Sequence, residues 1–377
     1  MSTGEAGLGP ALAAVMERVA VTAEAVGPRF PLYAEPDGGR WTTTGRGSWT
    51  GGFWAGLLWL RARYTGAAAD RRAAAACTAR LAPWVEADTA TRGLIIWYGT
   101  APAGDDAEAA ELQGRGARAV LSAYDRELGL VPWGDALGGP RLLARVDGVP
   151  GTVPLLAGAG AGTGSGTGAG SWAGTQGAAV AAAHLHRHLD LCLGAGQDLT
   201  LRPALRFDAA TGWRPCADPP PGWSRGRAWL LLAAADALLR PELAVPGAPA
   251  RLAETAELLA AGAGSPAGGL VPAADAARPD GPLDTSAAAI TAVALLKLAR
   301  VPGPRAGAYA YRAEAILHRL AENHVTGPDS GRPPGMLLDG CYDAAKDLAV
   351  RHELVWGDFF LALALAAVHG IVDITHV

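Results

Sequence analysis

The sequence predicts an all-α fold built as two concentric layers of helices, and three observations lead there. Helical periodicity recurs along nearly the whole 377-residue chain, while alternation of period two is sparse. About half of the residues are apolar, with 51 glycines and abundant alanine, a composition suited to helices packed closely along small side chains. Segments that are apolar all round alternate with amphipathic ones. The first kind suits an inner ring buried on both sides, and the second shields that ring from water.

Taken in order, "LGPALAAVMERVAVTAEAV" gives a first helix, and "SWTGGFWAGLLWLRARYTG" a second beginning near Ser48. Further helices are expected at 70–84, 107–127, 174–190, 223–240, 246–262, 285–299, 304–322 and 357–369, each of ordinary length for a globular protein. The apolar ones open after short Gly, Ser or Asp segments, as in "RGSWTGGFW", "PPPGWSRGRAW", "GPLDTSAAAI" and "VWGDFF". Those openings are expected to collect at one end as the wall of a cleft. Asp284 and Asp358 are placed to cap or charge the first turns of two of these helices. "LTLRPALRFD" at 199–208 is the best strand-like piece. Residues 156–173 hold "AGAGAGTGSGTGAG", which has almost nothing to pack and reads as a mobile loop. It lacks a GxxxxGK[ST] pattern, which argues against a phosphate cradle.

Bulk properties exclude several classes. The formal charge of −4 has no one-sided block, against a nucleic-acid partner. Cys77, Cys192, Cys216 and Cys341 are far apart and form no CxxC. The start, "MSTGEAGLGPALAAVMERV", has no signal-peptide pattern, and apolar runs such as "FFLALALAAV" are too short to span a bilayer. A cytoplasmic protein without a membrane partner is expected. Among His184, His186 and His188 only the first and last share a helical face, and no HExxH accompanies them, so no metal is expected. With no GxSxG elbow and no Cys–His pairing, the acid/base groups available are chiefly carboxylates.

Twelve tryptophans against five phenylalanines and seven tyrosines is unusual weighting. Trp49, Trp54, Trp133, Trp223, Trp229 and Trp356 lie beside glycine or a charge. Flat faces beside polar groups suit a sugar ring; filling gaps between alanine-rich helices is the competing role. In "GWSRGRAW", Arg225 and Trp229 share a face while Arg227 points elsewhere. A guanidinium in that wall serves either as a carboxylate clamp or as the partner of an internal Asp or Glu. Asp135 in "PWGDALGG" and Asp147 in "VDGVPGTVP" sit in loops, where a turn-forming role competes with a chemical one.

The pieces "GSWTGGFWAGLLWLRARYTG", "RVDGVPGTVPLL", "AAAHL", "FDAATG", "GWSRGRAW", "LDTSAAAITAVALLKLA" and "VWGDFFLALAL" resemble, in order and spacing from about 47 to 365, the unsaturated glucuronyl hydrolases and the related unsaturated rhamnogalacturonyl hydrolases. The resemblance implies an (α/α)6 toroid of six helical hairpins, as one domain over 1–377. It implies hydration of the C4=C5 bond of a small unsaturated uronic-acid saccharide without a cofactor. By this resemblance Asp147 is the general acid/base. Arg225 and Trp229 match the arginine and tryptophan lining the family's substrate site and His184 its histidine; Arg227, standing where the family has glutamine, is expected to join Arg225 on the carboxylate, and Trp54 to join Trp229 on the ring. Trp49 and Trp133 join the candidate wall. The family's second aspartate is replaced: Thr91 stands at the acid and Ala90 at its histidine, with Asp88 three residues earlier and Asp135 as a further candidate acid. The expected partner is a small anionic saccharide or related small molecule, with a homodimer compatible. The alternatives are a repurposed toroid acting on a specialised metabolite and a non-catalytic carbohydrate-binding protein.

Overall fold

The computed structural model describes residues 5–158, 169–194, 200–243, 248–262 and 269–377. Its helices are α1 (Glu5–Val26), α2 (Gly51–Thr65), α3 (Ala68–Ala79), α4 (Tyr98–Thr100), α5 (Ala107–Ser122), α6 (Thr152–Ala157), α7 (Ala169–Cys192), α8 (Ser224–Leu238), α9 (Ala248–Ala261), α10 (Thr285–Leu298), α11 (Ala306–Asn323) and α12 (Val355–Val368). Six segments touch in cyclic order. α2 packs on α12, α12 on α10, α10 on α8 and α8 on α6; α6 meets a π-helical turn, Gly93–Trp97, which runs into α4 and returns to α2. Around them, α1 lies on α2, α11 and α12; α3 on α2; α5 on α6; α7 on α6 and α8; α9 on α8; and α11 on α10.

The two layers differ as their sequences require. In α12 every residue from Val355 to Ala366 is buried, and α10 is nearly as enclosed. In α5 burial is confined to Ala109, Leu112, Gly116, Ala117 and Val120, and in α11 to Ala313, Ile316, Leu317 and Leu320. That is a single stripe at helical spacing, as on a surface helix. Glycine lets the inner segments close on each other. A Cβ on Gly52 of α2 would lie 2.2 Å from the Ile95 carbonyl oxygen, and one on Gly93 would lie 2.3 Å from the Thr152 nitrogen.

Two departures from the all-α expectation matter for the site. One antiparallel sheet has the order β2 (Trp41–Thr44), β1 (Phe30–Ala34), β7 (Leu348–Leu354), β6 (Gly340–Asp343). A second runs β3 (Leu143–Arg145), β4 (Ala204–Asp208), β5 (Gly212–Pro215). The strand expected at 199–208 is regular only from Ala204. β7 feeds directly into α12, and β3 directly into the 3-10 turn Val146–Gly148. Short strands thus hold the ends from which ring segments start.

Other differences have local causes. The helix expected at 70–84 stops at Ala79, and Pro83, which has no N–H to donate, falls in a separate 3-10 turn. α7 begins at Ala169, inside the expected loop, and α6 runs to Ala157. The remainder of the expected Gly-rich loop, 159–168, lies outside the described residues. α6 was not anticipated because "GTVPLLA" is short, carries Pro154, and is launched from Gly151 at φ +71°. Among the described residues no helix is long and apolar enough to cross a membrane.

Candidate active site

A cavity of about 800 Å³ opens where the ring segments begin. Its wall takes Ser48 and Trp49 from before α2, Thr91 from before the π turn, and Arg145 and Asp147 from before α6. Trp223, Arg225 and Trp229 come from the start of α8, residues between 274 and 282 from before α10, and residues between 341 and 348 from the β6–β7 hairpin. The contributions are loops, strand ends and the opening turns of helices, so the closed packing of the ring brings distant stretches of chain together.

Asp147 sits in the 3-10 turn after β3. The turn is held from below by His184, whose Nδ1 accepts from the Val131 N–H (3.0 Å) and whose Nε2 faces the Gly148 carbonyl (3.2 Å). With Nδ1 accepting, Nε2 carries the proton and donates it to Gly148, so the ring is neutral. Burial, with His188 beside it, keeps His184 well below the ordinary histidine range. His188 points its Nδ1 at the His184 carbonyl (2.8 Å), and burial pushes it down to about 4.

These two rings predict acid lability. The unfolded chain binds a proton at each histidine below about 6.5, whereas folded His188 stays neutral down to about 4. Its stabilisation is therefore complete above the unfolded value and lost as pH falls from 6.5 toward 4. The loss for His188 alone is about 3 kcal/mol, from about 1.4 kcal/mol per unit. Denaturant midpoints measured from pH 7 to pH 4 should fall steeply, and His188→Gln should flatten the slope. An unchanged slope in that variant would contradict the assignment.

Asp147 is engaged by Arg145 through two parallel bonds, Nε to Oδ1 at 2.9 Å and Nη2 to Oδ2 at 3.0 Å. The guanidinium lies over the Trp133 ring, 4.7 Å from its centroid. Burial pulls Arg145 down, but the adjoining Asp147 charge and hydrogen bonds outweigh it and hold the group above the usual arginine value. Arg225 is 3% exposed. Its Nη1 donates to Asp284 Oδ2 (2.5 Å) and the Cys341 carbonyl (2.6 Å), and its Nη2 to the Tyr342 carbonyl (2.8 Å). Asp284 meanwhile caps α10 by accepting from the Ser286 N–H (3.1 Å). Of the two roles open to Arg225, the internal ion pair is the one its donors serve.

The structure divides the candidate residues. Asp147, Arg225, Trp49, Trp133 and Trp229 line the cavity; Asp88, Asp135, Arg227, Trp54 and His184 do not. Asp88 turns to Arg141 at the surface (2.8 Å), and Asp135 is exposed in a turn where its carbonyl accepts from Gly138. Arg227 lies against Gly262 beyond the end of α9, because its spacing from Arg225 sends it to another face of α8. Trp54 lines a separate small void with Arg18, Glu353 and Asp358. His184 acts from beneath the turn. Thr91, at the place of the missing acid, shares a hydroxyl bond with Thr89 (2.8 Å) and presents no carboxylate.

Sequence reasoning missed Arg145, Arg278, Lys346 and its two partners. Lys346, at the β6–β7 tip, joins Asp218 (2.8 Å) to Asp343 (2.6 Å), and these bonds hold it above the usual lysine value. Arg278 stands exposed at the rim and forms no ion pair among the described residues. Only Arg145 left a usable signal: in "RVDG" it ends β3 two residues before Asp147, within reach of the turn that carries the carboxylate.

No protein-family model matches the sequence, and no curated protein matches it. Solved structures do. The chain superimposes on an unsaturated glucuronyl hydrolase from Bacillus sp. GL1, described as responsible for glycosaminoglycan degradation, with a TM-score of 0.78 and 22% identity over 95% of this chain and 96% of that one. An unsaturated glucuronyl hydrolase specific for heparin gives 0.80 and 19%, over 98% and 99%. The enzyme from Streptococcus agalactiae gives 0.78 and 17%, over 100% and 94%. At these identities the likeness is one of fold.

Proposed function

We propose that the chain is an (α/α)6 toroid enzyme that hydrates the C4=C5 bond of a small unsaturated uronic-acid saccharide, with Asp147 as general acid and base. The observation that carries this reading is the placement of Asp147 with Trp49, Trp133 and Trp229 around one cavity, in a fold like that of the unsaturated glucuronyl hydrolases. Asp147 gives a proton to C4, and water adds at C5 and returns a proton to the carboxylate. The hemiketal then opens and releases the neighbouring sugar. The indole faces supply apolar contact for the ring. Arg225 shapes the wall through Asp284 and β6 and leaves the ligand's carboxylate to another cation.

Unsaturated disaccharides, sulfated and unsulfated, test this through loss of the enol-ether absorbance. Turnover is expected, and Asp147→Asn should lower kcat by about 10²–10⁴. No turnover across the panel would overturn it. A repurposed chemistry on a non-sugar metabolite is the second reading, favoured by the hydroxyl of Thr91 where an acid is expected. A non-sugar ligand found by mass spectrometry of the purified protein would support that alternative.

A further inference from the structure

We propose that Arg145 is the residue that reads the ligand's carboxylate, and that Asp147 occupies the carboxylate's seat until the ligand arrives. This rests on the uronide reading above. Four cations line the cavity, and three are poorly suited to the task. Arg225 cannot turn to a ligand without stranding Asp284, which is fully buried. Lys346 is 60% exposed and divided between two carboxylates. Arg278 is at the open rim, where water weakens any pair it forms.

Arg145 differs in each respect. It serves one carboxylate through a planar, two-point fork that would accept another carboxylate equally well. It is 24% exposed and its partner 14%, so the pair is reachable from the cavity yet shielded. Trp133 fixes the guanidinium plane from one face without using an N–H. Nη1 makes no hydrogen bond among the described residues, which leaves a donor where an incoming anion can begin the exchange.

The exchange makes one charge-assisted pair as it breaks another, so the guanidinium stays paired throughout. It also changes Asp147. Once displaced, that carboxylate shares the cavity with the ligand's negative charge. Recognition of the anion thereby frees the side chain that the proposed reaction uses, a role open to Arg145 because position 91 offers no second carboxylate.

Calorimetric titration with glucuronate, which is saturated and cannot react, tests this beside glucose. The wild-type protein should bind glucuronate at least about tenfold more tightly than glucose, a difference of about 1.4 kcal/mol. Asp147→Asn, which removes the competing charge, should bind glucuronate more tightly. Arg145→Gln should lose the preference for glucuronate and keep glucose binding, with Arg145→Lys in between because it retains charge without the fork. Arg278→Gln should bind like wild type, and thermal melts check that each variant is folded. Unchanged or weaker glucuronate binding in Asp147→Asn, or a preference for glucuronate that survives Arg145→Gln, would overturn the proposal. None of these readings needs turnover, so a chain that exchanges carboxylates yet hydrates no uronide keeps Arg145 in this role and loses only the hydrolase assignment.

Discussion

Arg225→Met is expected to cost about 3–5 kcal/mol of folding stability, the usual penalty for removing one partner of a buried ion pair. Asp284 would remain fully buried with a charge that no water reaches, and the Cys341 and Tyr342 carbonyls would lose their donors. The same change would loosen β6 from α8 and α10, since Arg225 is the side chain that ties them. Asp284→Asn added to Arg225→Met should recover part of the loss. It removes the stranded charge yet keeps an oxygen to cap Ser286. Denaturant midpoints for the two single variants and the double variant give the coupling directly. If Arg225 instead served mainly to grip a ligand, Arg225→Met would leave the midpoint within about 0.5 kcal/mol, as for a surface change, and act on binding alone.

Lys297→Met should be nearly as damaging, about 3 kcal/mol. Lys297 and Asp236 are both fully buried, joined at 2.5 Å, and Lys297 also donates to the Val377 carbonyl. Asp236 keeps Arg240 at 3.2 Å, which limits the loss, but its Oδ2 has no partner among the described residues. Burial holds Lys297 below the ordinary lysine value of 10.5. The unfolded chain therefore binds that proton more strongly, and stability should rise with pH between the depressed folded value and 10.5. The Met variant should be less stable at neutral pH and lack that alkaline rise. A variant with wild-type stability would mean that Asp236 is satisfied without Lys297.

Much of the architecture was legible because helix signals are local. The ends of α8, α10 and α12 fall within two residues of where the apolar runs and Asp284 placed them. The π turn and α6 were not legible, since both depend on Gly93 and Gly151 letting two backbones touch, and periodicity carries no trace of that approach. The strands were short, and β1 with β7 and β3 with β4 are joined across long stretches of sequence. Of the tryptophans beside glycine or a charge, Trp49 lines the cavity and Trp54 lines another void, a division that sequence neighbours do not encode. Asp88 was near in sequence to the missing acid, but its side chain is spent on Arg141.

By itself the sequence determined the helical class, the two kinds of helix and the loops from which a cleft would be built, because spacing and capping act over a few residues. Tertiary structure alone decided which charges are spent on one another. Arg225 meets Asp284 across 59 positions and the Cys341 carbonyl across 116, and only the closing of the ring makes them neighbours. That choice leaves Arg145 as the shielded cation with an exchangeable partner, since a buried charge must be paired wherever the fold supplies a partner.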